Sequence, residues 1–339
     1  MHSSQETEEE LLECTADQLA ALKLLSTSRR FILTGHVRPD GDCVGAQAAL
    51  ASCLERMGND VKIINPDPLE PRFQYLAKNF SFGVWDGGEL PAHDVAVFLD
   101  FNEMSRCGRL GEAFAKAHSQ KLVIDHHIYK GEPWWDAAFV DVRASATGLL
   151  IHRIHEALGL DVELAAAEGI FTSIVSDTGW FKYSNTDAET LRIASELVEI
   201  GVEPARMYQA IEQRKSPKHP KLTGAVLSSA HFFADDRAAL VTQPWSEEAA
   251  GYDGDDVLDC VRSVEGLEVV LFVRELADKG CKLSARSKEW YDVQKLTSRF
   301  GGGGHARAAG ASLEGNLTEA CAALIAAVEQ DLSADDGNR

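Results

Sequence analysis

The chain has 339 residues, 45% hydrophobic and 25% charged, which is enough for two soluble domains with separate cores. Its formal net charge of -20 argues against a coat for duplex DNA or long RNA, which needs a basic face to displace counterions. A small anionic substrate stays open, because bound cations and a few local basic groups can invert the field inside a cleft.

Residues 1–10 are expected to fray and 11–25 to form a leading helix. Phe31, Ile32 and Leu33 read as a short buried strand that stops at Gly35. His36, Asp40 and Asp42 follow at once, with Pro39 and Gly41 forcing a tight turn and a helix starting near Cys43. One imidazole and two carboxylates at the carboxyl end of a strand form a hard set suited to Mn²⁺ or Mg²⁺. For this segment alone, a turn closed by its own Asx hydrogen bonds is an equal reading. Residues 61–65 give a second strand, broken off by Pro66, Pro68 and Pro71. Residues 95–101 give a buried strand ending in Asp100, and 121–127 another ending in Asp125, His126 and His127. Strands separated by helix-length segments predict an α/β fold, a parallel sheet with helices on both faces. Ligands of such sheets bind outside the carboxyl ends of the strands, where three separate strands deliver His or Asp.

Ser145-Ala146-Thr147-Gly148 opens a helix to about residue 158, with Ser145 or Thr147 as its N-cap; a helix end facing a phosphate is the second reading. An apolar helix over 162–175 leads to Asp177, and 187–200 forms another. The basic, proline-bearing stretch 213–221 reads as a linker. It separates a first domain, 28–212, behind the tail and leading helix of 1–27, from a second domain, 222–335. In the second, strands are expected at 238–242, 268–275 and 281–287, with helices at 256–264 and 317–332. Gly301 to Gly304, followed by His305 and Arg307, let a backbone approach a ligand closely beside two donors; a floppy loop is the alternative. Seven cysteines without a CxxC pair read as reduced thiols. The N-terminus lacks the features of a signal peptide, and no run of about 18 apolar residues occurs. A cytoplasmic protein without a membrane span is therefore expected.

His36/Asp40/Asp42, Asp100, Asp125-His126-His127 and Asp177, in this order, resemble the DHH phosphoesterase superfamily, and the glycine-rich segment with His305 resembles its companion domain, DHHA1. The likeness covers roughly residues 28–335 and is greatest to the stand-alone nanoRNase/pAp-phosphatase group. It implies two divalent cations per chain, Mn²⁺ first with Mg²⁺ or Co²⁺ as alternatives. His36, Asp40 and Asp100 would hold one cation, and Asp42, Asp100, His126 and Asp177 the other. His127 would face the substrate phosphate, Asp125 would orient the imidazoles, and Arg106 would lie near the phosphate. In a smaller α/β second domain, Ser284, Arg286, Gly302, Gly303, Gly304, His305 and Arg307 would grip the nucleotide end, with the active site in the cleft between domains. Implied substrates are short RNA, dinucleotides such as pGpG, and 3′-phosphoadenosine 5′-phosphate (pAp); a homodimer is also implied, and neither duplex DNA nor membrane is. A cyclic dinucleotide or another small phosphate is the alternative substrate, and a non-catalytic nucleotide-binding regulator the alternative class. Phe101 departs from the family, which has a small hydroxyl residue there; Cys107 and Arg143 are further departures. Phe101, Trp180 and Tyr183 are candidates for base stacking, against the plainer reading of each as core.

Overall fold

A computed structural model describes residues 14–336 apart from Lys130, Gly251, Asp253 and Lys279, so the expected fraying of 1–10 lies outside the described residues. The chain divides into two compact units, Met1–Arg214 and Lys215–Arg339. The stretch expected as linker already contains the start of a helix at His219.

The first unit opens with α1 (Ala16–Thr27), started by a capping box between Thr15 and Gln18. Then follow β1 (Arg30–Thr34), α2 (Gly41–Arg56), β2 (Asp60–Asn65), β3 (Phe82–Val84), β4 (Val95–Leu99), α3 (Gly108–Lys116), β5 (Gln120–Asp125) and β6 (Ala137–Val140). Helices α4 (Thr147–Ala157), α5 (Leu164–Asp177), α6 (Ala188–Ile200) and α7 (Pro204–Ile211) complete it. The six strands are parallel in the order β3-β2-β1-β4-β5-β6. Strand residues alternate between two cores. Phe31, Leu33, Val97, Leu99 and Ile124 face α1, α2, α4 and α5, while Ile32, Phe98 and Val123 face Leu110 and Phe114 of α3. Burial on both faces is why these strands read as unbroken apolar runs. The direction of winding reverses between β1 and β4, the place where such sheets open a ligand crevice.

The second unit runs α8 (His219–Leu227), β7 (His231–Phe233), β8 (Ala238–Gln243), α9 (Asp255–Arg262), β9 (Val269–Glu275), β10 (Cys281–Ser287), α10 (Val293–Ser298), β11 (Gly303–His305), β12 (Ala308–Leu313) and α11 (Leu317–Asp336). Its sheet has the order β11-β12-β10-β9-β8-β7, antiparallel except for the parallel β8–β9 pair. The glycine-rich stretch is therefore a paired hairpin strand, not a floppy loop. No helix among the described residues is long and apolar enough to cross a membrane. The seven cysteines are free thiols.

Helices α2 and α5 cross at backbone contact. A Cβ at Gly45 would lie 2.4 Å from the Gly169 carbonyl oxygen and 2.7 Å from the Ser173 nitrogen. This approach sets Asp42, in the first turn of α2, beside Ser173 and Asp177 near the end of α5. Overpacking of this kind costs about 1–3 kcal/mol, so Gly45→Ala is expected to lower the Tm. Gly224→Ala, on α8 with open space around it, is expected to be neutral or slightly stabilising. Thermal unfolding of both variants is the check, and equal effects would contradict the close-crossing argument.

Candidate functional site

Each strand end at the crevice delivers its polar residues for a local reason. Gly35 follows β1, and a Cβ there would lie 2.2 Å from Cys43 Sγ, so only glycine lets the chain turn. Its N–H donates to Asn65 Oδ1 (2.8 Å), which is itself tied to Gln47 in a buried amide pair. Asp40 caps α2, accepting from the Cys43 N–H through Oδ1 (3.2 Å), while its Oδ2 lies 3.8 Å from His36 Nε2. The Asx reading and the ligand reading of this turn thus use different oxygens of one carboxylate. Asp100 directly follows β4 in the left-handed region, φ 67°, a conformation Asp tolerates better than most residues and one that concentrates at functional sites.

Two histidines aim ring nitrogens at carboxylates. His126 Nδ1 lies 3.0 Å from the Ala144 carbonyl and His36 Nδ1 2.9 Å from the Val37 carbonyl. A carbonyl only accepts, so both rings carry their proton on Nδ1 when neutral and present a bare Nε2. His126 Nε2 faces Asp177 Oδ2 at 3.2 Å, Asp42 Oδ2 at 3.3 Å and Asp100 Oδ1 at 3.6 Å, yet among the described residues it is buried without a well-aligned hydrogen bond. His36 Nε2 lies 3.4 Å from Asp100 Oδ2. Asp100 therefore stands between the two imidazoles, one oxygen toward each.

His127 differs. Its Nδ1 donates to Asp125 Oδ1 (2.8 Å), which also accepts the His126 N–H (2.9 Å), so that nitrogen is no ligand. Its side chain is 39% exposed, against 11% for His126 and 6% for His36. Asp42 is wholly buried, accepting from Ser173 Oγ and from the Thr147 N–H (2.9 Å) at the start of α4; Thr147 Oγ1 donates to Asp100 Oδ1 (3.2 Å). The expected cap of α4 is thus corrected. Ala146 occupies the cap position, Ser145 Oγ pairs with Thr190 Oγ1 (2.8 Å), and the helix end serves a carboxylate. Ser173 lies four residues before Asp177 on one face of α5, a spacing that could have pointed to it. Arg106 has an exposed side chain, and its carbonyl accepts the Val37 N–H (2.7 Å) beside His36. Phe101 is core, edge-on to Phe98 and His36, and Trp180 packs on Phe171 and Tyr208. Tyr183 is exposed.

The electrostatics call for cations. Burial, then the charges of Asp100 and Asp177, raise Asp42 well above the usual carboxylate range. Asp40, whose side chain is half exposed, is pushed up to about 6 by partial burial and by the charge of Asp100. Burial opposes charge on His126, but Asp100 and Asp177 outweigh it and push the imidazole up to about 12. Burial likewise opposes the charge of Asp100, and His126 and His36 overcome it to hold the carboxyl low. Ligand atoms of Asp42, His126 and Asp177 come within 4.8 Å of one another, as do those of His36, Cys43 and Asp100. Burial and the neighbouring Asp100 raise Cys43 far above a thiol's ordinary range, and its Sγ–H donates to the Leu99 carbonyl (3.7 Å). Asp40 is therefore the better partner for His36. Bare imidazole nitrogens facing several carboxylates fit hard divalent cations.

In the second unit, register places four of the expected substrate residues, Ser284, Arg286, Gly303 and His305, on one face. Arg286 and His305 both stand opposite Ala308, and Ser284 and Gly303 both stand opposite Gly310. Residues in one register row share a face, so small residues form a floor flanked by Arg286, Ser284 and His305. Further along that face, Val270 and Phe272 are covered by α8 and α9. The floor residues Ala308 and Gly310 were not foreseen. Of the other glycines, a Cβ at Gly302 would meet the Gly310 carbonyl at 2.2 Å and one at Gly304 the Ala308 carbonyl at 2.6 Å. Arg286 Nη2 lies 3.6 Å from Asp255 Oδ1, and Arg307 Nη1 donates to the Tyr291 carbonyl (2.7 Å). Arg307 thus braces the hairpin turn.

The profile of the DHH family, N-terminal domain, matches residues 30–198, and that of the DHHA1 domain matches 246–334. The bifunctional oligoribonuclease and PAP phosphatase NrnA of Thermus thermophilus is 32% identical over 319 residues, covering 93% of this chain and 94% of the relative. The chain belongs to the DHH family. It is a hydrolase of phosphoester bonds, and the family is metal-dependent. The NrnA of Bacillus subtilis is 26% identical over 299 residues, 86% of this chain and 92% of that protein. Among solved structures, an exopolyphosphatase-related protein from Bacteroides fragilis aligns with a TM-score of 0.84 at 25% identity, over 94% of this chain and 97% of that one.

A cation at this cluster competes with protons. Titrating Mn²⁺ at neutral pH is expected to release protons, and the apparent affinity is expected to fall as pH drops through about 6, where Asp40 protonates. Calorimetry in buffers of different ionisation enthalpy checks this. Affinity independent of both pH and buffer would contradict it.

Proposed function

We propose that this protein hydrolyses short oligoribonucleotides, dinucleotides such as pGpG, and pAp, using two divalent cations with Mn²⁺ preferred. The observation that carries this reading is the buried Nε2 of His126, which faces Asp42, Asp100 and Asp177 without a well-aligned hydrogen bond among the described residues. His36, Asp40 and Asp100 would hold one cation, and Asp42, Asp100, His126 and Asp177 the other. Cations so held supply Lewis acidity and acidify a water near neutral pH.

The chain's own groups do the rest. Four carboxylates against two dications leave a near-neutral centre that admits a phosphate instead of repelling it. The Ala144 and Val37 carbonyls fix the tautomers of His126 and His36, which keeps their lone pairs on the ligand side. The hydrogen bond and charge of Asp125 raise His127 above an ordinary imidazole, more than offsetting its burial. That shift favours the imidazolium, whose Nε2–H, on the other side of the ring from the nitrogen bound to Asp125, can donate to a phosphoryl or leaving oxygen. Arg106, exposed beside the His36 turn, adds a cation for the same oxygens. In the second unit, the Ala308/Gly310 floor admits a sugar-phosphate closely, while Ser284, Arg286 and His305 bind the nucleotide end. The support for this substrate class is the name shared by the T. thermophilus and B. subtilis relatives.

Asp100→Asn tests the assignment. With Mn²⁺ and a panel of pAp, pGpG, five-nucleotide RNA, pyrophosphate and cyclic dinucleotides, the wild type is expected to favour the first three. The variant is expected to lose roughly 10²–10³-fold or more in rate, the scale of removing one preorganised charge interaction, together with bound metal. A near-normal rate with unchanged metal stoichiometry would overturn the two-cation assignment. Turnover confined to pyrophosphate or cyclic dinucleotides would overturn the substrate class.

A further inference from the structure

None of the proposed ligands lines a second feature of the first unit, a cavity of about 520 Å³ between residues 71–78 and α7. Lys78, Arg206 and Arg214 line it with Tyr75, Gln209 and Gln213, and no Asp or Glu is among its lining residues. In a chain with 53 acidic and 33 basic residues, three cations in a lining without an acid is a local inversion, with Arg206 shared with Glu168 and Glu203 outside the lining. Lys78 and Arg214 have no side-chain hydrogen-bond or ion-pair partner among the described residues. Arg206 Nη1 is ion-paired at 3.7 Å with both Glu168 Oε1 and Glu203 Oε1, beyond hydrogen-bond distance, so Lys78 and Arg214 are the uncommitted cations of the hollow. The wall is preset. Thr172 Oγ1 donates to the Glu168 carbonyl (2.6 Å), so it accepts from the Tyr75 hydroxyl (2.6 Å), and the phenol ring is held in place.

We propose that this cavity is a second anion site that takes the phosphate and base of a mononucleotide. The volume suits a small ligand. Lys78, Arg206 and Arg214 would meet the phosphate, whose planar, bidentate recognition favours guanidinium groups. Gln209 and Gln213 offer amide donors and acceptors to a base, and Tyr75 a ring edge or face. The inference is independent of which substrate the metal-centred site hydrolyses. The phosphate can come from a free nucleotide or from a strand held elsewhere on the same chain.

The test is equilibrium dialysis of labelled 5′-AMP against the Mn²⁺-loaded full chain at low ionic strength. The wild type is compared with Lys78→Glu/Arg214→Glu and with a control of equal charge change, Lys23→Glu/Arg29→Glu. Bound AMP per chain is expected to fall by one in the first variant, or that site to weaken at least tenfold, and to hold in the control. A steady-state arm separates the sources. A KM for five-nucleotide RNA that rises several-fold over that for a dinucleotide in the first variant assigns the phosphate to the strand. A lost AMP site without that rise assigns it to a free nucleotide. Equal AMP binding by wild type and first variant, with no length-dependent change in KM, overturns the proposal, as does an equal loss in the control.

Discussion

Bare imidazole nitrogens and ionised carboxylates cannot face one another in a buried pocket unless something positive lies between them. His126 Nε2 meets three carboxylate oxygens within 3.6 Å, and His36 Nε2 meets Asp100 at 3.4 Å. Left alone, the cluster must take up protons, which is why Asp42 and Asp40 are pushed up while Asp100 is held low between two imidazoles. A divalent cation relieves the same conflict without protons. The desolvation cost of these charges is large, and the fold bears it only because caps, helix ends and close crossings meet their remaining lone pairs.

That support comes from distant parts of the chain. The reversal of strand order between β1 and β4 opens the crevice, and three strand ends, the starts of α2 and α4 and the end of α5 converge there. Asp42 is held by the start of α4 and by Ser173 of α5, and the Gly45–Gly169 crossing keeps those helices close enough. Through Thr147, one helix terminus touches both Asp42 and Asp100. Small shifts in packing far from any substrate should therefore register in cation affinity before they register in overall stability.

Much of this was legible in the sequence because buried parallel strands are unbroken apolar runs, and Asp or His directly after such a run marks the crevice edge. The expected strands at 31–33, 61–65 and 95–101 match β1, β2 and β4 to within two residues at each end. Asp100 lies just outside its strand because a left-handed turn ends it. Less visible were β3 and β6, three and four residues long, which are too short for periodicity to register. The cap of α4 was misread because Ser145 and Thr147 have the right chemistry for a cap, and only the tertiary contact with Asp42 shows which group the helix end serves. Ala308 and Gly310 were missed because a floor of small residues carries no chemical signature until strand register brings Arg286 and His305 to either side of it.

The most direct test of the central claim is anomalous diffraction from crystals of the full chain soaked in Mn²⁺. The expected result is two peaks about 3.5–4 Å apart, with one carboxylate oxygen of Asp100 or both contacting each ion and His36 and His126 on opposite sides of the pair. A single ion, or two ions that do not share Asp100, would contradict the account.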